Sequence, residues 1–251
     1  MKQKRHSLGQ HFLSSAIIAK EIVRSAKIKS SDTVLEIGTG TCALTKYIAE
    51  NSSQVITYEI DQELFKRAKS QLSSFPCVNV RLGDAFKAYV SNFDVCLTSL
   101  PYSRSLDFLH WLAIRSGCFR TTVAVVQSDF ATKILSSPGE RNYRAVSVVS
   151  QIAFESEILM DLGPECFRPS PKIHSDVIRF TPNQKIHQPF LTEKRIQALR
   201  YLFSFRGRLL RNALKSMKLR NLDFSGVSKE LLSRRIERIT PIEYASILEN
   251  F

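Results

Sequence analysis

Apolar and polar positions follow two rhythms along this chain. From residue 14 to 28, Ile17, Ile18, Ile22, Val23 and Ala26 recur at helical spacing, and Ser14 or Ser15 stands where an N-cap belongs. Residues 33–37 form a short β-rich run that ends at Gly38-Thr39-Gly40, and a helix-compatible stretch follows from 42 to 50. The alternation continues with a strand at 54–60, a helix at 62–72, strands near 78–82 and 94–98, a helix near 106–114 and a strand at 122–126. Such alternation predicts a parallel sheet wrapped by helices. After Gln127 come a helix-like piece to Ser136, a Pro138-Gly139 turn, and strand-like runs at 145–154 and 176–180, which predict an antiparallel edge on the sheet. Residues 181–189 are polar with two prolines and form the best linker, and the remainder to Phe251 reads as helices only. No internal repeat or low-complexity tract interrupts this plan.

The charge is distributed unevenly. The 251 residues carry a formal net charge of +13, which points to an anionic polymer or surface as partner. Residues 191–220 hold nine Lys and Arg against Glu193 alone, and residues 1–29 hold seven bases against Glu21, whereas residues 30–110 are slightly acidic. Phosphate binding is therefore expected at the two ends, with solvated helix faces as the plainer explanation. A hydrophobic content of 43% and charged content of 24% exclude a disordered or collagen-like chain. The five cysteines (Cys42, Cys77, Cys96, Cys118, Cys166) suggest neither a disulfide framework nor a Cys-x-x-Cys metal site. With the five histidines scattered as well, no metal is expected. No apolar run approaches the ~20 residues of a membrane span, and the first residues lead into no signal-peptide stretch, so a cytoplasmic location and no membrane partner are expected.

Candidate chemistry clusters where strands end. In Gly38-Thr39-Gly40-Thr41-Cys42-Ala43 the missing side chains of Gly38 and Gly40 let backbone approach a ligand, and Glu59, at the end of the next strand, is placed to accept from both hydroxyls of a ribose. A dinucleotide fold satisfies both observations, as does a tight strand-to-helix turn with a surface glutamate. Two more acids tilt the choice toward S-adenosylmethionine. Glu36, two residues before Gly38, can order the glycine loop or meet a methionine amino group, and Asp84 in Gly83-Asp84-Ala85 can accept from an adenine amine or simply shape its turn. Ser99-Leu100-Pro101-Tyr102 follows the strand at 94–98. An exocyclic adenine amine is a poor nucleophile because its lone pair is delocalised into the ring. Acceptors at the Ser99 side chain and Leu100 carbonyl can free that lone pair, Pro101 can stiffen the loop, and Tyr102 can stack on the base. Read alone, the same four residues are also a proline turn beside a buried tyrosine.

These residues resemble the ribosomal RNA adenine N6-dimethyltransferase family nearly end to end. Ser7-Leu8-Gly9-Gln10-His11-Phe12-Leu13 is similar to its N-terminal segment, in which the positions of His11 and Leu13 touch the cofactor. The Leu35–Gly40 motif, Glu59, Gly83-Asp84-Ala85, the segment Phe167-Arg168-Pro169-Ser170-Pro171-Lys172 and the run Phe205-Arg206-Gly207-Arg208 follow at similar spacing. The resemblance implies a doubly wound, Rossmann-like α/β methyltransferase domain at 1–181 with an antiparallel edge, and a small all-helical RNA-binding domain at 190–251. It also implies an S-adenosylmethionine-dependent enzyme that dimethylates adenine in small-subunit ribosomal RNA during ribosome biogenesis. Ser99 doubles as a cofactor contact in this reading. Lys4, Arg5, Lys172, Arg206, Arg208, Arg211 and Lys215 are the expected RNA contacts, Arg208, Arg211 and Lys215 at spacings that can share a helix face. The substrate is expected to be the ribosomal RNA or a pre-ribosomal particle, and the protein a monomer. Two positions depart from the family, which usually has Asn at Ser99 and Gly at Cys42. Large-subunit relatives of the antibiotic-resistance type, a catalytically weak assembly factor and a nicotinamide-dependent oxidoreductase are the alternatives.

Overall fold

The computed structural model describes residues 10–90, 92–217 and 226–251. Seven strands make one sheet: β2 (Thr33–Ile37), β3 (Gln54–Glu59), β4 (Val78–Leu82), β5 (Val95–Thr98), β6 (Thr121–Gln127), β7 (Phe154–Leu162) and β9 (Ser175–Pro182). Their order is β4-β3-β2-β5-β6-β9-β7. The first five are mutually parallel, and β9 runs antiparallel to β6, with Val125 opposite Val177. The fold is thus the expected Rossmann-like α/β sheet with an antiparallel edge, the parallel part from the alternation and the edge from the late strand-like runs. Central strands covered on both faces need continuous apolar runs; Val34, Leu35, Val95, Cys96, Leu97, Val123 and Ala124 are fully buried. A separate two-stranded ladder joins β1 (Phe12–Leu13) to β8 (Phe167–Arg168), with Leu13 opposite Phe167.

Helices α1 (Ala16–Ser25), α2 (Thr45–Ala49), α3 (Gln62–Gln71), α4 (Ser105–Ile114) and α5 (Ser128–Leu135) connect these strands. Ser15 caps α1 by accepting from the Ile18 N–H, and Asp61 caps α3 by accepting from Glu63 and Leu64. The helix expected from Cys42 starts three residues later. Cys42 has φ +63°, a left-handed conformation that cannot continue a right-handed helix.

A further expectation needs correction. The run at 145–154 is not a strand: Ala145–Ala153 is a helix, α6, with Val148, Val149, Ile152 and Ala153 buried at helical spacing. Its valines favour β structure only weakly, and burial of that face overrides the preference. The strand lies just downstream as β7, whose Glu155, Glu157 and Asp161 obscure an apolar pattern. Charge on an edge strand deters pairing with other chains, and β7 is the last strand of its sheet.

The chain divides into two compact units, one drawn from Met1–Phe108, Gly117–Ala131 and Ser156–Pro182, the other from Leu109–Ser116, Thr132–Glu155 and Asn183–Phe251. The division predicted at 181–190 falls at the last of these crossings, and the second unit also takes in two earlier segments. Within the second unit lie α6, α7 (Glu193–Ser204), α8 (Leu210–Ser216), α9 (Lys229–Leu232) and α10 (Pro241–Leu248). It is not helical throughout: Leu209 and Arg235 form an antiparallel bridge. The fully buried Tyr143 and Tyr244 donate to the carbonyls of Ile239 and Ile236 at 2.8 and 2.7 Å, which satisfies both hydroxyls inside the apolar core. The predicted linker is anchored, since Asn183 Nδ2 donates to the Gln151 carbonyl and Gln188 Nε2 to that of Ile152.

Candidate active site

In an open α/β sheet the crevice for ligands lies where strand order reverses, outside the carboxyl ends of the strands. Here that point lies between β2 and β5. A cleft of about 200 Å³ opens there, and its walls include His11, Leu13, Glu36, Gly38, Gly40, Glu59, Asp84, Ser99, Leu100 and Pro101. The fold therefore brings every sequence-predicted cofactor residue to one cavity, together with three of the four residues of the proline loop.

Local geometry explains the glycines. Gly38 and Gly40 have φ of +87° and +54°, conformations that cost an L side chain strain. A Cβ on Gly38 would lie 3.4 Å from the Leu100 side chain, and one on Gly40 would press into the Phe12 ring at 3.2 Å. The N–H groups of Gly38 and Thr39 both donate to the Tyr58 carbonyl, which ties the loop to the end of β3. Phe12 was not foreseen as a site residue. The pairing of β1 with β8 holds it over the loop, so the Phe167-Arg168 segment acts on the cleft through the N-terminal strand.

The three acids sit in different environments. Glu36 is fully buried; its Oε2 accepts from Thr45 Oγ1 at 2.8 Å and Thr57 Oγ1 at 2.6 Å, and Thr57 in turn meets Thr39 Oγ1 at 2.6 Å. Burial pushes its carboxyl up to about 7 against those hydroxyls, with the nearby Glu59 charge adding to the rise. Glu59 accepts from the Gly40 N–H through Oε2 at 2.8 Å and from the Asp61 N–H through Oε1 at 2.9 Å. The two oxygens thus order the backbone of the glycine loop and of the turn after β3, and each keeps a second lone pair for a ligand. Asp84 is engaged by Arg104, whose Nη2 lies 3.1 Å from Oδ2 and 3.4 Å from Oδ1. Arg104, another lining residue absent from the sequence reading, also lies over the Phe86 ring. Cys42, by contrast, is buried against Ala68 and Leu72 and does not face the cleft; burial holds its thiol protonated, pushed up to about 11.

The proline loop leaves β5 beside β2, where Thr98 Oγ1 donates to the Ile37 carbonyl at 2.8 Å. Ser99 and Leu100 face the cavity, but Tyr102 does not line it. Its ring stacks on His11 with centroids 5.6 Å apart, and its hydroxyl meets Ser175 Oγ at 2.7 Å. Burial raises the Tyr102 hydroxyl above its ordinary range, so it stays protonated. The Pro169 carbonyl lies 2.7 Å from His11 Nδ1 and can only accept, so Nδ1 carries the proton.

Among the expected RNA contacts, Lys4 and Arg5 lie outside the described residues. Lys172 is exposed on the loop after β8. In the second unit Arg208, Arg211 and Lys215 are exposed, but Arg208 precedes α8, so only Arg211 and Lys215 share a helix face. Arg206 is spent differently: its guanidinium donates to the carbonyls of Tyr143, Glu140 and Arg141, which makes it a fastener of the 140–143 turn.

A Rossmann-like sheet carrying a glycine loop, three strand-end acids and a proline loop at its switch point defines an S-adenosylmethionine-dependent α/β methyltransferase. The chain belongs to the ribosomal RNA adenine dimethylase family, whose model matches residues 1–250. It is 32% identical over 252 residues to ribosomal RNA small subunit methyltransferase A of Thermotoga maritima, covering 100% of this chain and 86% of that protein. Among solved structures, a dimethyladenosine transferase from Plasmodium falciparum superposes with a TM-score of 0.82 at 26% identity, covering 95% of this chain and 97% of the other. The 23S rRNA methyltransferase ErmE shares the fold, with a TM-score of 0.68 at 23% identity over 95% and 98% of the two chains. No helix among the described residues is long and apolar enough to cross a membrane, and none of their His, Cys, Asp and Glu side chains cluster in threes to hold a metal.

Proposed function

We propose that this protein transfers methyl groups from S-adenosylmethionine to adenine N6 in small-subunit ribosomal RNA, giving dimethyladenosine during ribosome assembly in the cytoplasm. The observation that carries the reading is the convergence of the Ser99–Pro101 loop with Glu36, Glu59 and Asp84 at one cleft. The donor set fits the cofactor. Glu36 is a buried acid whose carboxyl is raised chiefly by burial, and the methionine end of S-adenosylmethionine would bring an ammonium and a sulfonium to it. Glu59 offers its remaining lone pairs to the ribose, Asp84 accepts from the adenine amine, and His11 and Leu13 close the near side. When bound, the cofactor supplies an already activated methyl group.

The protein's own task is alignment, because in-line displacement from a sulfonium needs no strong general base. The Ser99 hydroxyl and the Leu100 carbonyl accept from the N–H groups of the target adenine, which directs the nitrogen lone pair toward the cleft. Pro101 fixes the φ angle of the loop and removes a competing donor. Tyr102 keeps one ring face on His11 and offers stacking to a base turned out of the RNA. Serine preserves the acceptor of the more usual asparagine with a shorter reach, so the second methylation is the step most exposed to this substitution. Arg208, Arg211, Lys215 and Lys172 hold phosphates of the folded RNA, a contact that positions without specifying.

The test is methyl transfer from labelled S-adenosylmethionine to undermethylated small ribosomal subunits, with the RNA digested and its nucleosides separated by mass. Dimethyladenosine is the expected product. Monomethyladenosine alone means that Ser99 stalls the second transfer. Absence of label with particle binding intact overturns catalysis and leaves an assembly factor.

A further inference from the structure

The pairing of Arg104 with Asp84 joins two loops of the cleft that the sequence places far apart. Arg104 belongs to the turn that ends the proline loop, its own N–H donating to the Pro101 carbonyl at 2.9 Å. Its side chain crosses to the loop after β4. There Nη2 reaches both oxygens of Asp84, the guanidinium carbon lies 4.8 Å from the centroid of the Phe86 ring, and Nε faces the Asp107 carboxylate at 3.4 Å. The Arg104 and Asp84 side chains are 33% and 16% exposed, so the pair is partly shielded from water and its geometry is constrained on three sides.

This arrangement determines what Asp84 can offer. A carboxylate has about four lone-pair sites, two on each oxygen. Oδ1 accepts from the Phe86 N–H at 3.0 Å and from Arg104, which occupies both of its sites. Among the described residues Oδ2 accepts only from Arg104, which leaves it one site. Asp84 therefore presents a single acceptor site, on an oxygen that the guanidinium holds in place.

We propose that Arg104 is a specificity-determining positioning residue: by clamping Asp84 it fixes one acceptor oxygen at the base end of the cleft, which selects a purine with an exocyclic amine over one with an exocyclic oxygen. The inference rests on the reading of Asp84 as the adenine acceptor. Without the clamp the carboxylate is free to rotate, and its acceptor is no longer held in line with an exocyclic amine, so the ligand that carries the amine loses its advantage. A site built around a fixed acceptor leaves that acceptor facing another acceptor when the wrong base enters, which is the arrangement that discriminates most strongly.

The experiment measures, by isothermal titration calorimetry on the full chain, the dissociation constants of S-adenosylhomocysteine and of S-inosylhomocysteine, its analogue with oxygen in place of the amine. Wild type is expected to prefer the adenosyl ligand by about tenfold or more, the scale of one buried hydrogen bond. Arg104→Met should cut that ratio by about fivefold, chiefly by weakening the adenosyl ligand, and Arg104→Lys should fall between because an ammonium keeps the charge without the planar fork. A loss of equal size for both ligands in Arg104→Met overturns the proposal, since a residue that merely supports the loop changes both alike. Asp84→Asn separates the two levels. If it collapses the ratio while both Arg104 variants leave it intact, the clamp is wrong and the adenine reading stands. If neither residue affects the ratio, the adenine reading itself is wrong. Should Arg104→Met fail to fold, the ratio in Arg104→Lys decides.

Discussion

The cleft of the first unit and the basic surface of the second use charge in opposite ways. Around the cleft each acid is held: Glu36 by two threonine hydroxyls, Glu59 by two backbone N–H groups and Asp84 by Arg104. On the second unit Arg211 and Lys215 stand exposed on one face of α8. The difference is the one that the two proposed ligands would demand. A small molecule is recognised by a few fixed groups whose desolvation is already met by the protein, whereas a polyanion is held by mobile cations that release counterions and need no fixed geometry. Arg206 shows that position in the basic block does not decide the role, because its guanidinium serves three backbone carbonyls.

The largest expected effect is confined to the cleft. Gly38→Val would place a branched side chain at φ +87° and against Leu100, at a strain of about 1–3 kcal/mol before any ligand is considered. Cofactor affinity by calorimetry should fall by about 100-fold or more, since the loop must move to relieve the strain. RNA affinity by filter binding should stay within about twofold, given that phosphate contacts carry it. A parallel loss of both would show that the two regions are not separable.

Glu36 sharpens the contrast through pH. Its folded-state pKa of about 7 lies above the ordinary value of 4.5. The protonated form is therefore favoured in the fold, and its stabilising effect is fully present below about 4.5 and lost as pH rises through about 7. Relative to Glu36→Gln, wild type should lose about 3 kcal/mol of stability across that window, read from denaturant unfolding at a series of pH values. Cofactor binding should show the reverse trend. A cationic ligand favours ionised Glu36, so affinity should fall as pH drops below about 7, and binding at pH 6.5 should release a proton, visible as a dependence of calorimetric heat on the buffer. In Glu36→Gln both dependences should flatten.

The basic surface responds to salt instead. Arg211→Gln and Lys215→Gln should each reduce the slope of log affinity against log salt by about 0.7–0.9, with no change in melting temperature. Arg206→Met should do the opposite, lowering stability by about 1–3 kcal/mol through its orphaned carbonyls while leaving the salt slope nearly unchanged. If Arg206→Met changes the slope as Arg211→Gln does, the structural role assigned to it fails.

Much of this was legible in the chain. The parallel strands announce themselves because burial on both faces demands unbroken apolar runs, and counting to strand ends leads to residues that line one cleft. What escaped depends on tertiary partners. Arg104 meets Asp84 across 20 positions and His11 meets Pro169 across 158, and neither distance leaves a periodic mark. Residues 145–154 read as a strand because valine carries a β preference, and only the spacing of Val148, Val149, Ile152 and Ala153 betrays the helix. β7 escaped because an edge strand can afford glutamates.

Cys42 offers the smallest and most discriminating test, because its two effects differ in sign. It holds a left-handed conformation that costs an L residue about 1–2 kcal/mol, and it buries a side chain against Ala68 and Leu72 worth about 1 kcal/mol. Cys42→Gly removes both and should come out within about 1 kcal/mol of wild type. Cys42→Ala keeps the strained backbone and loses the sulfur, so it should be the less stable of the two, by about 1 kcal/mol in denaturant unfolding. Cofactor affinity should stay within about twofold in both, because the thiol faces α3 and not the cleft. An alanine variant more stable than the glycine variant would show that the backbone at 42 is not strained. The usual glycine of the family would then answer to the ligand and not to the turn.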